Sequence, residues 1–185
     1  MHTKQLDEIL TKCKANDRTA QYKLYNLYSM AMYNVCLRMM KETAQAEDAL
    51  QMAFVKAFKN INSFKVESTF GAWLKKIVIN TCLSELNKKK MHFEDWDGKD
   101  FVEEKIDEPD VTYEVKMVKY AMSILPNGYR VIFSMYAVEG FDHMEIAQIM
   151  GISVGTSKSQ YSRAKVRIKE ILKDQANSFK ISNNS

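Results

Sequence analysis

The sequence predicts an all-α protein: two small helical domains joined by an acidic linker, the C-terminal one a helix-turn-helix. Three observations predict it. Among 185 residues only six are glycine and two proline, so few residues interrupt helices, while Met, Leu, Ile, Ala and Lys abound. Apolar residues recur at three- and four-residue intervals, the period that gathers them on one face of a helix. Finally, residues 91–114 hold ten acidic side chains against Lys99 and Lys105, a net of −8 in a chain whose total is +4, which leaves +12 on the rest.

The elements follow in order. Leu6, Ile9 and Leu10 begin a short first helix. Asp17 can cap a longer second one, on which Tyr22, Leu24, Tyr25, Leu27, Tyr28, Ala31, Met32, Val35, Cys36 and Met39 supply a broad apolar surface expected to be interior. Thr43 starts a third helix whose Ala46, Ala49, Leu50, Ala53, Phe54, Ala57, Phe58 and Ile61 share a face, leaving Asp48, Gln51 and Lys59 on others. Residues 60–67, NINSFKVE, read as a polar loop carrying one conspicuous aromatic, Phe64. Ser68 or Thr69 can cap a fourth helix with Phe70, Trp73, Leu74, Ile77 and Val78 inward. Lys75, Lys76, Asn80, Lys88, Lys89 and Lys90 lie in it or just after it, and the first bundle ends near Lys90.

Beyond the acidic strip, Val111, Val115, Val118, Met122 and Leu125 mark a helix that Pro126 terminates, because proline has no amide hydrogen to continue the ladder. Tyr129, Ile132, Phe133 and Tyr136 give the next, which Gly140 can end. Asp142 with Glu145 forms a capping-box pattern that opens a helix with Ile146, Ala147 and Met150 on its inner face. Gly151 then supplies the positive φ of a tight turn, Ile152 a buried plug, and Ser153 a cap for the last helix. This is helix-turn-helix spacing. The last helix offers Thr156, Lys158, Ser159, Gln160, Ser162 and Arg163, with Lys165, Arg167 and Lys169 continuing the charge. Short hydrogen-bonding side chains among cations suit base edges and phosphates. The same basic helix also fits RNA or an acidic protein.

Other classes find little support. Cys13, Cys36 and Cys82 are odd in number and widely spaced, and read as reduced thiols rather than disulfides or zinc ligands. His2, His92 and His143 are scattered, and no nucleophile-base grouping or phosphate-cradling glycine loop occurs, so neither an enzyme nor a bound cofactor or metal is expected. No apolar run approaches the ~20 residues that span a bilayer. Membrane insertion is therefore not expected, and the cytoplasm is the expected location. A basic remainder calls for a polyanionic partner.

The stretch AEDALQMAFVKAF, followed by FKVESTFGAWLKKIVINTCLSEL, the acidic linker, and LPNGYRVIFSMYAVEGFDHMEIAQIMGISVGTSKSQYSRAKVRIKEIL, resembles bacterial RNA polymerase sigma factors of the sigma-70 family, extracytoplasmic-function (ECF) subfamily. The likeness covers nearly the whole chain in order. It implies region 2 over residues 1–90, a linker over 91–110, region 4 over 111–176 and a polar tail over 177–185. It also implies a factor that binds core RNA polymerase and directs promoter recognition, DNA melting and transcription initiation without itself catalysing a reaction. The implied partners are promoter DNA, the β′ clamp helices and β flap of the core enzyme, and an anti-sigma factor.

By the same resemblance, Glu47, Asp48 and Gln51 dock on the β′ clamp helices, where carboxylates suit an Arg-rich surface. The implied −10 recognition and melting element is the loop 60–68 with the helix 70–87. Asn62, Ser63, Phe64 and Lys65 are expected to line a pocket for an unstacked base, and Lys75, Lys76, Asn80 and Lys88 to hold phosphates. Trp73 and Phe70 fall on the inward stripe and belong to the core. The −35 contacts are expected from Thr156, Lys158, Ser159, Gln160, Ser162, Arg163 and Arg167. The linker resembles the segment that threads the RNA-exit path of the polymerase. Three departures bear on base preference: Ser157 where the family usually has a buried valine, Gln160 where arginine is common, and SELNKKK in place of the usual Asp and Arg pattern. Gln160 can pair with adenine, whereas arginine favours guanine. The competing reading is an ordinary helix-turn-helix regulator whose N-terminal bundle senses a ligand or dimerises.

Overall fold

A computed structural model describes residues 3–65, 67–92 and 113–182. The acidic linker beyond His92, Val111 of the helix expected after it, and the last three residues therefore lie outside the described residues, within which every regular element is helical. The chain forms two compact units, Met1–Lys89 and Lys90–Ser185.

The first unit contains α1 (Thr3–Lys14), α2 (Arg18–Met40), α3 (Thr43–Lys59), a 3-10 turn (Ile61–Ser63) and α4 (Phe70–His92). Asp17 caps α2 as expected, its carboxylate accepting the Ala20 N–H at 3.0 Å. Of the broad apolar surface of α2, Leu24, Met32, Val35, Cys36 and Met39 are buried, while Tyr22 and Leu27 are exposed. Apolar residues run too far around this helix for its neighbours to cover them all. The inner stripe of α3 is narrow and rich in small residues, with Ala46, Ala49, Ala53 and Ala57 buried beside Leu50 and Phe54. Such a stripe lets α2 come close, and Tyr25 meets Phe54 edge-on at 4.7 Å.

Thr69 is the residue that caps α4, accepting the Ala72 N–H at 3.2 Å. Phe70, Leu74, Val78, Ile79 and Cys82 are buried along α4, each large aliphatic side chain stabilising the fold by about 2 kcal/mol. Gly71 lets α4 approach α2: a Cβ there would lie 3.3 Å from Tyr28 Cε1. All three cysteines are free and buried. The hydrogen bond it shares with Cys36, which favours the protonated form, and then burial push the Cys82 thiol far above its usual range. Burial and then the charge of Asp17 raise Cys13 to about 11. These thiols are poor nucleophiles where they sit.

The second unit contains α5 (Tyr113–Ser123), α6 (Asn127–Phe133), α7 (His143–Met150) and α8 (Val154–Ser182). Ala121, Met122 and Leu125 pack with Ala164, Ile168 and Ile171 of α8, flanked by Ile124, Tyr129, Phe133 and Leu172. The backbone of α8 stays helical through Ser182, into the stretch read from sequence as a polar tail. The helix begun at Asn127 widens into a π turn over Ser134–Val138, which periodicity does not reveal. Its wide hydrogen bonds, Glu139 N–H to Ser134 O and Phe141 N–H to Met135 O at 3.0 Å, bring Phe141 back into the core.

Arg130 is the one buried charge of this unit among the described residues. Its guanidinium donates to Leu125 O at 2.9 Å and to Asn127 Oδ1 at 2.7 Å. It thereby holds the turn where Pro126 separates α5 from α6. Burial lowers the Arg130 guanidinium to about 10.

Candidate nucleic-acid interface

Local chemistry assembles the helix-turn-helix. The Asp142 carboxylate accepts the N–H groups of Met144 at 2.7 Å and Glu145 at 2.8 Å, and the Glu145 carboxylate accepts the Asp142 N–H at 3.0 Å. The capping box read from sequence is thus complete, with Asp as the cap. Gly151 is left-handed at φ 65°, ψ 35°, and half-buried Ile152 donates to Ala147 O at 3.0 Å. Ser153 then opens α8, its hydroxyl accepting the Thr156 N–H at 3.0 Å.

With Ser157, Ala164, Ile168 and Ile171 buried on one side of α8, Lys158, Ser159, Ser162 and Arg163 are left exposed on the other. Those four form the outer face together. Thr156 is exposed, but its hydroxyl is already bonded to Ser153 at 2.9 Å. Gln160 departs from its expected place: it is half-buried, its Oε1 is buried, and that oxygen would be 3.9 Å from a Cβ on Gly128 of α6. Its amide faces the body of the unit rather than outward. Arg167 is exposed and paired with Glu170 at 2.9 Å, a surface pair worth at most about 1 kcal/mol that a phosphate could replace. The sequence reading missed Val166, which is 55% exposed one turn beyond Arg163 and Ser162. Its signal was an apolar residue at an outward register, and such a side chain can meet a thymine methyl.

In the first unit, the loop after α3 is held by side chains of its own. Asn60 donates to Lys56 O at 2.8 Å, and the Ser63 hydroxyl donates to Asn60 O at 2.7 Å. Ile61 and Phe64 are buried, whereas Asn62, Ser63 and Lys65 are exposed. Phe64 meets Phe70 edge-on at 5.4 Å and Trp73 at 5.5 Å. The conspicuous aromatic therefore anchors the loop to α4 instead of lining an open pocket. Along α4, Lys76, Asn80 and Lys88 are exposed at multiples of four residues, one side of the helix. Lys75 is half-buried one position away, and Lys88 pairs with Glu85 at 2.7 Å. Lys56 of α3 is a further cation near this face that sequence alone did not place. Its ammonium donates to the buried Thr81 hydroxyl at 3.2 Å, and that hydroxyl donates to Ile77 O at 2.8 Å.

On α3, Glu47, Asp48 and Gln51 are exposed opposite the alanine stripe, and Val55, 53% exposed, continues the same side. Among the described residues no group of three or more His, Cys, Asp or Glu side chains could hold a metal ion, and no helix is long and apolar enough to cross a membrane.

Two families match this chain: Sigma-70 region 2 over residues 24–91 and Sigma-70, region 4 over residues 116–168. The chain is similar to the ECF RNA polymerase sigma factor SigW of Bacillus subtilis, 25% identical over 178 residues, covering 89% of this chain and 95% of the relative. It is also similar to the ECF RNA polymerase sigma factor SigM of the same organism, 30% identical over 153 residues, covering 80% and 93%. Among solved structures, the sigma factor RpoE from Bartonella quintana, in complex with the anti-sigma factor NepR, is 28% identical with a TM-score of 0.62, over 82% of this chain and 96% of that one.

Proposed function

The chain belongs to the extracytoplasmic-function group of the sigma-70 family, and from that membership we propose which surface performs each part of the work. Members of this family catalyse no reaction: the chain binds core RNA polymerase and promoter DNA, and the polymerase starts transcription where the pair places it.

The outer face of α8 reads the −35 duplex in the major groove. The loop 61–65 and the Lys76, Asn80 and Lys88 side of α4 recognise the −10 element and hold its strands apart, joined by Lys56. Glu47, Asp48 and Gln51 on α3 dock on the β′ clamp helices, and region 4 also meets the β flap. Domain limits of 1–90, 91–110 and 111–176 belong to the same reading. So do an anti-sigma factor as partner, as in the solved Bartonella relative, and the cytoplasm as the place of action.

One observation carries the duplex-reading assignment: Lys158, Ser159, Ser162 and Arg163 stand exposed together on a helix whose opposite side is locked into the core. Cations beside short hydroxyls match phosphates beside base edges. The test is a gel shift on promoter duplex with and without core polymerase. Binding that needs core supports the reading, and tight binding without it favours the free-standing regulator. Arg163→Ala lowers promoter-specific transcription more than core association, and the slope of log affinity against log salt falls by about 1. Asp48→Arg abolishes pull-down by core at an unchanged melting temperature. Undiminished pull-down removes α3 from the polymerase interface.

A further inference from the structure

Position 157 is a serine in the first turn of α8, and its hydroxyl lies in the interior. Ser157 has no exposed surface. Its Oγ is 2.9 Å from Nδ1 of His143, in the first turn of α7, and the two share a hydrogen bond. The His143 ring lies nearly parallel to Tyr136, 4.3 Å away at 17°, and edge-on to Tyr161 at 5.7 Å. Tyr161 stacks in turn on Phe133 at 5.8 Å and leans on Tyr136 at 4.5 Å. One imidazole thus joins α7, the start of α8 and the π turn after α6.

A valine at this position would touch its neighbours without preferred direction, and α8 could settle by a few degrees to suit them. A hydrogen bond is directional, and a buried hydroxyl without its partner costs about 1–3 kcal/mol. Ser157 is followed in sequence by Lys158 and Ser159 of the outer face, so whatever fixes Ser157 fixes their direction. At a side-chain radius of about 6 Å, a 10° turn of α8 moves that face by roughly 1 Å, enough to spoil a base contact worth about 1–3 kcal/mol.

We propose that His143 is a positioning residue for DNA reading: through its bond to Ser157 and its stack on Tyr136 it sets the rotation of α8, and so which bases Lys158, Ser159, Ser162 and Arg163 meet. This rests on α8 being the helix that reads the duplex.

The experiment uses holoenzyme, the full chain with core polymerase, on promoters randomised through the upstream element. It reads base preference at each position together with the melting temperature of each chain. His143→Phe keeps a ring against Tyr136 and loses the bond; His143→Asn places an amide atom near Nδ1 and loses the ring. Ser157→Val replaces the hydroxyl with an apolar side chain of similar size, and the double variant His143→Phe, Ser157→Val removes both partners of the bond so that neither is left unbonded. His143→Phe and Ser157→Val are expected to weaken the preferred promoter about tenfold, about 1.4 kcal/mol, and to alter base preference. His143→Asn is expected to recover the wild-type preference that His143→Phe loses. The double variant is expected to melt like wild type and still read altered bases. Loss of affinity that merely follows melting temperature, with base preference unchanged in every variant, overturns the inference. A wild-type holoenzyme with no upstream preference overturns the assignment of α8 to duplex DNA, and the inference falls with it.

Discussion

Gly151→Ala isolates the conformational cost of the turn between α7 and α8. The residue is left-handed at φ 65°, and a Cβ built on it meets nothing within 4 Å. No clash contributes, so the cost is the intrinsic penalty of a left-handed L-residue, about 1–2 kcal/mol. Asparagine visits this region more readily, so Gly151→Asn should cost clearly less. Gly155 is the internal control. It lies inside α8, where φ is not positive and a Cβ would meet Ser153 Oγ only at an ordinary 3.7 Å. Gly155→Ala should therefore stabilise by about 0.5–1 kcal/mol by restricting the unfolded chain. In a unit of this size each kcal/mol moves the midpoint by roughly 4–8 °C. Thermal unfolding followed by amide exchange of α7 and α8 assigns any shift to the right unit. The expected order is Gly155→Ala above wild type, then Gly151→Asn, then Gly151→Ala. If Gly151→Ala and Gly155→Ala shift the midpoint equally, or in the same direction, backbone strain is not what the glycine relieves.

Phe64→Ala removes the ring that ties the loop to Phe70 and Trp73, and should destabilise the first unit by about 3 kcal/mol. Urea unfolding measures it, and a loss below about 1 kcal/mol would return Phe64 to the open loop surface. Arg130→Ala leaves Leu125 O and Asn127 without their donor and should cost about 1–3 kcal/mol, whereas a surface change such as Lys158→Ala should stay within about 0.5 kcal/mol. For Cys13 the folded state holds its proton to about 11 against an ordinary 9.0. The unfolded chain thus loses that proton first, and stability declines as pH rises from 9 through 11. Denaturant midpoints should fall over that window in wild type more than in Cys13→Ala, and an identical decline would remove Cys13 as a cause. A thiol reagent at neutral pH should label none of the three buried cysteines until the chain unfolds.

Legibility in the sequence followed how far an interaction reaches along the chain. Asp142 and Glu145 are three residues apart, so the capping box was readable and is present as read. Gly151 was readable for the same reason, because a single left-handed residue is a local property. The alanine stripe of α3 needed only the helical repeat. Phe64 was misplaced because local composition shows a polar loop, and only the seating of α4 brings Phe70 and Trp73 against it. Gln160 could be read as outward from its chemistry alone. It shares a face of α8 with buried Ala164, four residues on, and so turns toward Gly128 instead.

The sequence by itself determined the helices, their caps and turns, and which side of α3 and α8 carries charge, because each depends on residues within about two turns of one another. Tertiary structure alone decided which apolar residues of α2 stay uncovered, where Lys56 carries its charge, and that Ser157 meets His143 fourteen residues away. Those outcomes depend on how one helix is rotated against another, and rotation is fixed by the sum of many weak contacts in the core rather than by any short pattern.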